Sequence, residues 1–258
     1  LAASVTGKER DKSAMDTIQD NIHFLTAPCH FYHSEFASEE EFCDFLVEEL
    51  ESKIQEIGPE NIMCFIAEPI LASGGVIVPP KNYNYRCWQI VTKHDITYIA
   101  DEVVTGFGRL GHWFSSESEF GIIPDIIIFA KGVTSGYMPL GGYAVSDKFL
   151  DGFVGENADG CSYLNGYTWS GNPVACAAGL ASWDIIENEG LLKHVKEIAP
   201  YFQQQLRTLK DIPLVGDVRG AGLMAAVEMT SKADNETELL EKDFAVGEMV
   251  DAYCQQFG

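Results

Sequence analysis

The sequence has few basic residues and no long apolar run. Its 258 residues include 17 Lys and Arg against 39 Asp and Glu, which gives a formal net charge of −22 at pH 7. Nucleic-acid binding needs a basic surface that neutralises phosphates, and anionic membranes repel a surface this acidic. No apolar stretch approaches the roughly 20 residues that a membrane-spanning helix requires. We therefore expect neither nucleic acid nor a membrane as a partner.

The sequence also lacks paired cysteine motifs. Its seven cysteines lie at positions 29, 43, 64, 87, 161, 176 and 254, and no C-x-x-C pair occurs. Scattered thiols in odd number are typical of a reducing compartment, so we expect a cytoplasmic location. The sequence begins with Leu1 instead of Met, shows no secretion-signal pattern, and stops at Gly258 just after a helical pattern. We expect a central fragment of a longer protein.

The first clear element is an acidic amphipathic helix. Residues 1–37 are weakly periodic and typical of a long loop, in which His30 and His33 could form half a metal site, but no further ligand lies nearby. Residues 38–41 (SEEE) form a capping box, after which apolar residues recur at helical spacing as far as Gly58. This pattern predicts a helix with an acidic outer face.

Three apolar segments follow, and each ends on a charged residue. They are residues 62–67 before Glu68, residues 96–100 before Asp101, and residues 126–130 before Lys131. A helical pattern over 83–94 separates the first two, so the order predicts a right-handed parallel crossover between strands buried on both faces. Residues 141–145 offer a further strand. Ligands of open α/β sheets bind at the carboxyl ends of the strands, where the three charged residues should meet.

The second half changes character near residue 188. Residues 151–166, rich in glycine and acidic residues, should form a mobile surface loop, and Asn172 with Pro173 should start a helix that runs to about residue 187. The later patterns are an amphipathic helix over 191–209, a strand pair at 215–220 and 223–229, and a last helix over 239–256. We expect a large domain over residues 1–188 and the start of a smaller α+β domain over residues 189–258.

Lys131 and Asp101 suit one cofactor chemically. Desolvation at the end of a buried strand disfavours a lysine ammonium, and a neutral amine can condense with an aldehyde. An aspartate at a neighbouring strand end can hold a protonated ring nitrogen. These are the two protein groups that pyridoxal 5′-phosphate (PLP) needs to act as an electron sink. The two residues alone leave an ordinary alternative open, in which Lys131 faces solvent and Asp101 caps a turn.

The segments around these residues resemble the signature of the class III, PLP-dependent aminotransferases. The similar segments occur in that family's order and approximate spacing. They are residues 68–70 (EPI), 74–76 (GGV), 101–109 (DEVVTGFGR), 124–126 (PDI), 130–132 (AKG), 166–173 (GYTWSGNP) and 218–223 (VRGAGL). Residues 29–32 (CHFY) and the acidic helix after them resemble the ω-aminotransferase branch. The resemblance covers essentially the whole chain.

The resemblance implies a fold and a set of roles. The fold is α/β of fold type I, with a mixed, mostly parallel sheet flanked by helices and part of a small C-terminal domain. Lys131 is implied to form the Schiff base with PLP and to carry the proton between substrate carbon and cofactor. Asp101 matches the partner of the pyridine nitrogen, Val103 the residue against the ring face, and Glu68 a supporting residue at the site edge. Thr168 matches a threonine that reaches the phosphate of the neighbouring subunit's cofactor, which implies a homodimer with shared sites.

Two departures narrow the implied substrates. Relatives specialised for ornithine or γ-aminobutyrate carry a glutamate where this chain has Ser73, and a glutamine where it has Val104. Both positions resemble the ω-amino acid:pyruvate group, so the implied reaction moves an amino group from an ω-amino acid or primary amine to a 2-oxo acid such as pyruvate. The family's phosphate cup, ring-stacking aromatic and carboxylate-binding arginine have no counterpart here. We therefore expect this chain to be inactive by itself.

Other functions remain open. Residues 106–111 fit the G-x-G-x-x-G pattern of nicotinamide-dependent dehydrogenases, but the residues after them do not resemble the helix that this fingerprint opens. Within this turn, Arg109 is expected to fix the backbone, not to bind substrate. An aminomutase or racemase shares most of the motifs, and a non-catalytic, truncated remnant is a further possibility.

Overall fold

The structure is a computed structural model that describes residues 2–8, 12, 15–18, 20–154, 165–230 and 246–257. The α-helices are α1 Glu39–Ile57, α2 Tyr83–Lys93, α3 Ser115–Phe120, α4 Asp147–Leu150, α5 Pro173–Asn188, α6 Leu191–Arg207 and α7 Val246–Gln255. The strands are β1 Cys64–Ala67, β2 Thr97–Asp101, β3 Ile126–Phe129, β4 Gly142–Val145, β5 Val215–Ala221 and β6 Met224–Met229. Among the described helices, none is long and apolar enough to cross a membrane.

The larger sheet has the strand order β1-β2-β3-β4. Strands β1, β2 and β3 are parallel, and β4 pairs antiparallel with β3. The register places Ala67 opposite Ala100 and Asp101 opposite Ile128. The carboxyl ends of the three parallel strands therefore lie along one edge of the sheet, as the sequence predicts.

Helices α1 and α2 pack on one face of this sheet. The Oγ atom of Ser38 accepts a hydrogen bond from the Glu41 N–H group at 3.1 Å, and α1 ends at Gly58, whose φ is 86°. Both ends of the predicted acidic helix are thus confirmed. Its apolar face joins a core with α2 and β2 that includes Phe42, Leu46, Leu50, Val91, Tyr98 and Ala100. Each large side chain buried in this way stabilises the fold by about 1.5–3 kcal/mol.

The prediction of strands buried on both faces is wrong for the described residues. Tyr98 and Ala100 of β2 are buried, but Ile99 between them is only partly buried. Ile66 of β1 is 37% exposed, and every residue of β3 is partly exposed. Successive side chains of a strand point to opposite faces, so the face that α1 and α2 do not cover keeps contact with solvent.

A separate antiparallel hairpin, β5-β6, contacts the glycine-rich turn that follows β2. The Leu223 N–H group donates a hydrogen bond to the Arg109 carbonyl oxygen at 3.0 Å, and Arg109 Nη1 donates to the Leu223 carbonyl at 3.5 Å. Gly222 fits here because a Cβ atom on it would lie 2.6 Å from the same Arg109 oxygen. Arg109 therefore joins the turn to the hairpin, and its expected role in fixing the turn itself stays a prediction.

The helices of the second half lie close to their predicted positions. The Asn172 Oδ1 atom accepts hydrogen bonds from the Val174 and Ala175 N–H groups and so caps α5. The last helix, α7, matches the later part of the predicted range 239–256. Residues 239–245 of that range, and residues 155–164 of the predicted surface loop, lie outside the described residues.

Candidate active site

Asp101 ends β2 and begins the turn that carries Val103. Its Oδ1 atom accepts a hydrogen bond from the Val103 N–H group at 3.0 Å, an Asx-type turn that orients the first residues after the strand. Among the described residues, this bond engages only one of the two carboxylate oxygens. The other oxygen can accept a hydrogen bond from an N–H group of a ligand, which is the role that the resemblance implies.

Glu102 is a fully buried carboxylate that no sequence pattern singled out. Its exposed fraction is 0%. Its oxygens accept hydrogen bonds of 2.5–2.9 Å from the Thr105 hydroxyl and from the backbone and hydroxyl groups of Ser115 and Ser116, at the start of α3. Complete pairing offsets the cost of burying this group. Its serine partners lie 13 and 14 positions away, so no local sequence signal could have found it.

Lys131 follows β3 directly and opens the 3-10 helix Lys131–Thr134. Its φ of 43° lies in the left-handed region, where a residue with a Cβ atom is strained, and such strain is often found at functional sites. The side chain is exposed, so the predicted desolvation of its amine is wrong for this chain. The reason is that β3 keeps contact with solvent on one face. Exposure leaves the amine accessible to an aldehyde.

Two elements hold the backbone around Lys131. On one side, Gly132 contacts the turn after β2, because a Cβ atom on Gly132 would lie 2.8 Å from the Phe107 Cβ atom. On the other side, α5 packs against the 3-10 helix, where the Ser135 and Ser182 hydroxyl groups lie 2.8 Å apart. The turn after β2 and helix α5 therefore together position the backbone from which the Lys131 side chain extends.

Glu68 lies level with Asp101, because β1 and β2 are parallel neighbours in register. Burial raises the pKa of Glu68, and the nearby Asp101 carboxylate adds to the increase. A hydrogen bond from the Ala72 N–H group at 3.0 Å and the positive charges of Lys8 and Lys131 oppose that increase. The charges of Asp101 and Lys131 therefore act on the pKa of Glu68 at one edge of the sheet. Lys8 is a further charge at this edge that no sequence pattern indicated.

Thr168 lies in an exposed turn that precedes α5. The Tyr167 N–H group donates a hydrogen bond to Ser170 Oγ at 3.0 Å and closes this turn. No contact given by the described residues brings Thr168 to Asp101 or Lys131. Its role toward the cofactor of a second subunit stays a prediction.

The two histidines of the H-x-x-H pair have structural partners. The His33 Nδ1 atom lies 2.9 Å from Glu35 Oε1, and the His33 ring stacks on Phe42 with centroids 4.8 Å apart. The His30 Nε2 atom lies 3.2 Å from the Phe36 carbonyl oxygen. The part of the chain that the structure describes contains no cluster of His, Cys, Asp or Glu side chains that could hold a metal ion.

The G-x-G-x-x-G segment forms a closed turn and does not open a helix. The Phe107 N–H group donates a hydrogen bond to the Trp113 carbonyl at 2.7 Å, and the Gly108 N–H group donates to the His112 carbonyl at 2.8 Å. The next helix, α3, starts only at Ser115. A dinucleotide site needs a helix N-terminus directly after the glycines, so the geometry does not support a dehydrogenase.

The fold and the site define an α/β protein with a lysine and two carboxylates at the carboxyl edge of a mostly parallel sheet. A sequence model of the family described as aminotransferase class-III matches residues 1–255. The chain belongs to the class III aminotransferases.

Named relatives are similar over most of the chain. A putrescine–pyruvate aminotransferase of Pseudomonas aeruginosa is 42% identical over 222 residues, which cover 86% of this chain and 47% of that protein. A mitochondrial γ-aminobutyrate transaminase of Oryza sativa is 40% identical over 261 residues, which cover 100% of this chain and 50% of that protein. The chain therefore spans about half the length of the curated relatives that it matches.

Solved structures of transaminases share the fold. An (S)-enantioselective ω-transaminase from Thermomicrobium roseum superposes with a TM-score of 0.92 at 38% identity, over 99% of this chain and 56% of that chain. A PMP-bound form of an aminotransferase from Vibrio fluvialis superposes with a TM-score of 0.90 at 32% identity, over 100% of this chain and 57% of that chain. These likenesses confirm the predicted fold type I α/β architecture.

Proposed function

We propose that the protein containing this chain is a PLP-dependent aminotransferase. It moves an amino group from an ω-amino acid or primary amine to a 2-oxo acid such as pyruvate. The observation that carries the proposal is the placement of Lys131, Asp101 and Glu68 at one edge of the parallel strands. The names of a putrescine–pyruvate aminotransferase and of ω-transaminases among its relatives support this substrate class.

The residues at the edge fit PLP chemically. The exposed Lys131 amine would hold the aldehyde carbon, the second carboxylate oxygen of Asp101 would accept a hydrogen bond from the protonated ring nitrogen, and Val103 would lie against the ring. When bound, PLP supplies the electron sink that stabilises negative charge on the substrate carbon. Once the amino donor has displaced it from the aldehyde carbon, the Lys131 amine would carry a proton at the substrate carbon, and Glu68 would support the edge. Thr168 would bind the phosphate group of the cofactor in a second subunit, so its role depends on a dimer.

A homodimer is part of the proposal, because the region around Thr168 is unusually apolar and exposed. Tyr167 and Trp169 are 82% and 78% exposed, and Val174 and Leu180 on α5 are each 63% exposed. Isolated exposed apolar residues are common, but a group of large ones along one helix and the turn before it is typical of a protein interface. A second copy covering this surface would bring Thr168 to its partner's site.

Two further parts of the proposal concern organisation and location. We place a domain boundary near residues 188 and 189, with residues 1–188 in the large domain and 189–258 in the small one, and the separate β5-β6 sheet supports this division. The cysteines within the described residues are unpaired thiols. A reducing compartment such as the cytoplasm suits such thiols.

The test uses the full-length protein, purified with PLP. We expect a visible absorption band that disappears in Lys131→Ala, and alanine formation from pyruvate with putrescine or an ω-amino acid as donor. Lys148→Ala is a matched control, because Lys148 is an exposed lysine that pairs with Asp95 at 2.6 Å. A band without alanine formation would indicate a racemase or aminomutase, and no band would refute the proposal. The 258-residue chain alone should give no turnover.

A further inference from the structure

A shielded arginine of the β5-β6 hairpin lies in an ionic network. The side chain of Arg219 is 11% exposed. Its Nη1 atom donates to Asp217 Oδ2 at 3.2 Å and its Nη2 atom to Glu228 Oε2 at 2.8 Å. The Tyr32 hydroxyl donates to the same Glu228 oxygen at 2.5 Å. Burial raises the pKa of the nearby Cys29 thiol, and the charge of Arg219 opposes that increase. The guanidinium charge is therefore fully paired.

The same guanidinium also donates a hydrogen bond to an uncharged backbone group. Its Nε atom donates to the Gly75 carbonyl oxygen at 2.9 Å, across 144 positions of sequence. Gly75 has a φ of 118°, a conformation that L side chains rarely adopt, and a Cβ atom on it would lie 3.0 Å from Arg219 Nη2. The backbone at Gly75 and the arginine are therefore fitted closely to each other.

The turn that contains Gly75 leads directly to the candidate active site. Leu71 and Ile77 exchange backbone hydrogen bonds of 3.0 Å at its base, and the Gly75 N–H group donates to the Ala72 carbonyl at 3.2 Å. The Ala72 N–H group in turn donates to Glu68 Oε2 at 3.0 Å. A short, continuous set of hydrogen bonds thus joins Arg219 to the carboxylate of Glu68.

We propose that Arg219 is a positioning residue for the candidate active site: through Gly75 it fixes the turn whose Ala72 N–H group binds the Glu68 carboxylate beside Asp101 and Lys131. Only the part of the inference that concerns the cofactor rests on the proposed function. The charged groups that face Glu68 from the neighbouring elements are Asp101, Lys8 and Lys131. A change in how Glu68 is held therefore changes the electrostatic surroundings of Lys131.

The simpler alternative is that Arg219 only neutralises Asp217 and Glu228. Arg219→Lys separates the two roles, because an ammonium can still pair with the carboxylates but lacks the planar fork that also reaches the Gly75 carbonyl. Arg219→Gln removes the charge as well. Lys210→Gln is the matched control, because Lys210 also pairs with Asp217, at 3.4 Å, and is 52% exposed.

The first measurement is amide hydrogen exchange of the full-length protein without cofactor, followed in peptides that span residues 69–78. Loss of a hydrogen bond to a charged donor should speed exchange there about tenfold in Arg219→Lys, and at least as much in Arg219→Gln. Lys210→Gln should exchange as the wild type does. Unchanged exchange in both Arg219 variants, or equal acceleration in Lys210→Gln, would overturn the proposal. Arg219→Lys keeps the test valid if Arg219→Gln fails to fold.

The second measurement is the pH titration of the visible band of the PLP-loaded protein. Without the hydrogen bond from the Ala72 N–H group, Glu68 stays protonated to higher pH. A protonated Glu68 stabilises a positive charge at Lys131 less, so the midpoint of the band titration should shift to lower pH in Arg219→Lys. In a Glu68→Gln background, Arg219→Lys should cause no further shift. If Arg219→Lys still shifts the midpoint in the Glu68→Gln background, the claim that Arg219 acts on Lys131 through Glu68 is refuted. A wild-type protein with no band would refute the proposed function, while the exchange data still decide whether Arg219 fixes the turn.

Discussion

The buried carboxylate of Glu102 accepts two hydrogen bonds from Ser116, one from its N–H group at 2.7 Å and one from its hydroxyl at 2.5 Å. Ser115 makes a corresponding pair to the other carboxylate oxygen. The glycine-rich turn after Asp101 is thus closed by a carboxylate at one end and a helix start at the other. Asp101 directly precedes this closed turn, and Phe107 lies within it.

Glu102→Gln should destabilise the full-length protein by about 2–4 kcal/mol, because the amide N–H₂ group would face donors of Ser115 or Ser116 and leave buried groups unpaired. Denaturant unfolding followed by far-UV circular dichroism measures the change. Glu117→Gln, an exposed change on the same helix, should stay within about 0.5 kcal/mol of the wild type. Equal stability of the two variants would contradict the structural role of Glu102.

Gly132→Ala should displace Lys131 or the Phe107 turn, because its Cβ atom would meet the Phe107 Cβ atom and not a flexible chain end. Overpacking of this kind costs about 1–3 kcal/mol. We expect a lower melting temperature and slower recovery of the visible band on adding PLP to the apoprotein. Gly166→Ala, where nothing lies within 4 Å, is the control and should be nearly neutral in stability. Normal band recovery in Gly132→Ala would count against the contact.

Asp101→Asn should leave the fold intact and impair the chemistry. The Asn oxygen can still accept the Val103 N–H group, so the turn is kept, but the negative charge that would hold the ring nitrogen is lost. A charge-assisted hydrogen bond worth about 3 kcal/mol corresponds to about a hundredfold loss in kcat/KM, measured with pyruvate as acceptor. Asp95→Asn removes an exposed carboxylate and should keep near-normal kcat/KM. Near-normal activity of Asp101→Asn would refute the assigned role.

The raised pKa of Glu68 predicts the pH dependence of its contribution to stability. Because its pKa is higher in the folded protein than in the unfolded chain, ionised Glu68 lowers the free energy of unfolding at neutral pH. This loss is relieved as the pH falls through the raised pKa, and it is absent below the ordinary carboxyl value of about 4.3. Glu68→Gln should therefore be more stable than the wild type at pH 7 and as stable as the wild type at about pH 4.

Urea unfolding at several pH values tests the Glu68 prediction. Glu60→Gln serves as the control, because Glu60 is exposed beside the same strand. A stability difference that does not change with pH would show that ionisation of Glu68 is not its cause.

Much of the fold could be predicted because it depends on local patterns. The Ser38 cap, the start of α5 at Asn172 and the three strand ends each follow from residues within one turn of the element. The burial of the strands could not be predicted in the same way. Continuous apolar runs indicate strands that are covered on both faces. In the described residues, helices cover only one face of the sheet. Lys131, at the end of β3, is therefore exposed.

The sequence by itself determined the family and the parallel order of the strands, and it predicted Lys131 and Asp101 as site residues, because these depend on residue types at short spacing. Only the tertiary structure decided which groups hold them in place. Glu102 meets its serines 13 and 14 positions away, and Arg219 meets Gly75 across 144. No local pattern encodes such pairs, because hydrogen bonds between distant segments exist only after the chain has packed.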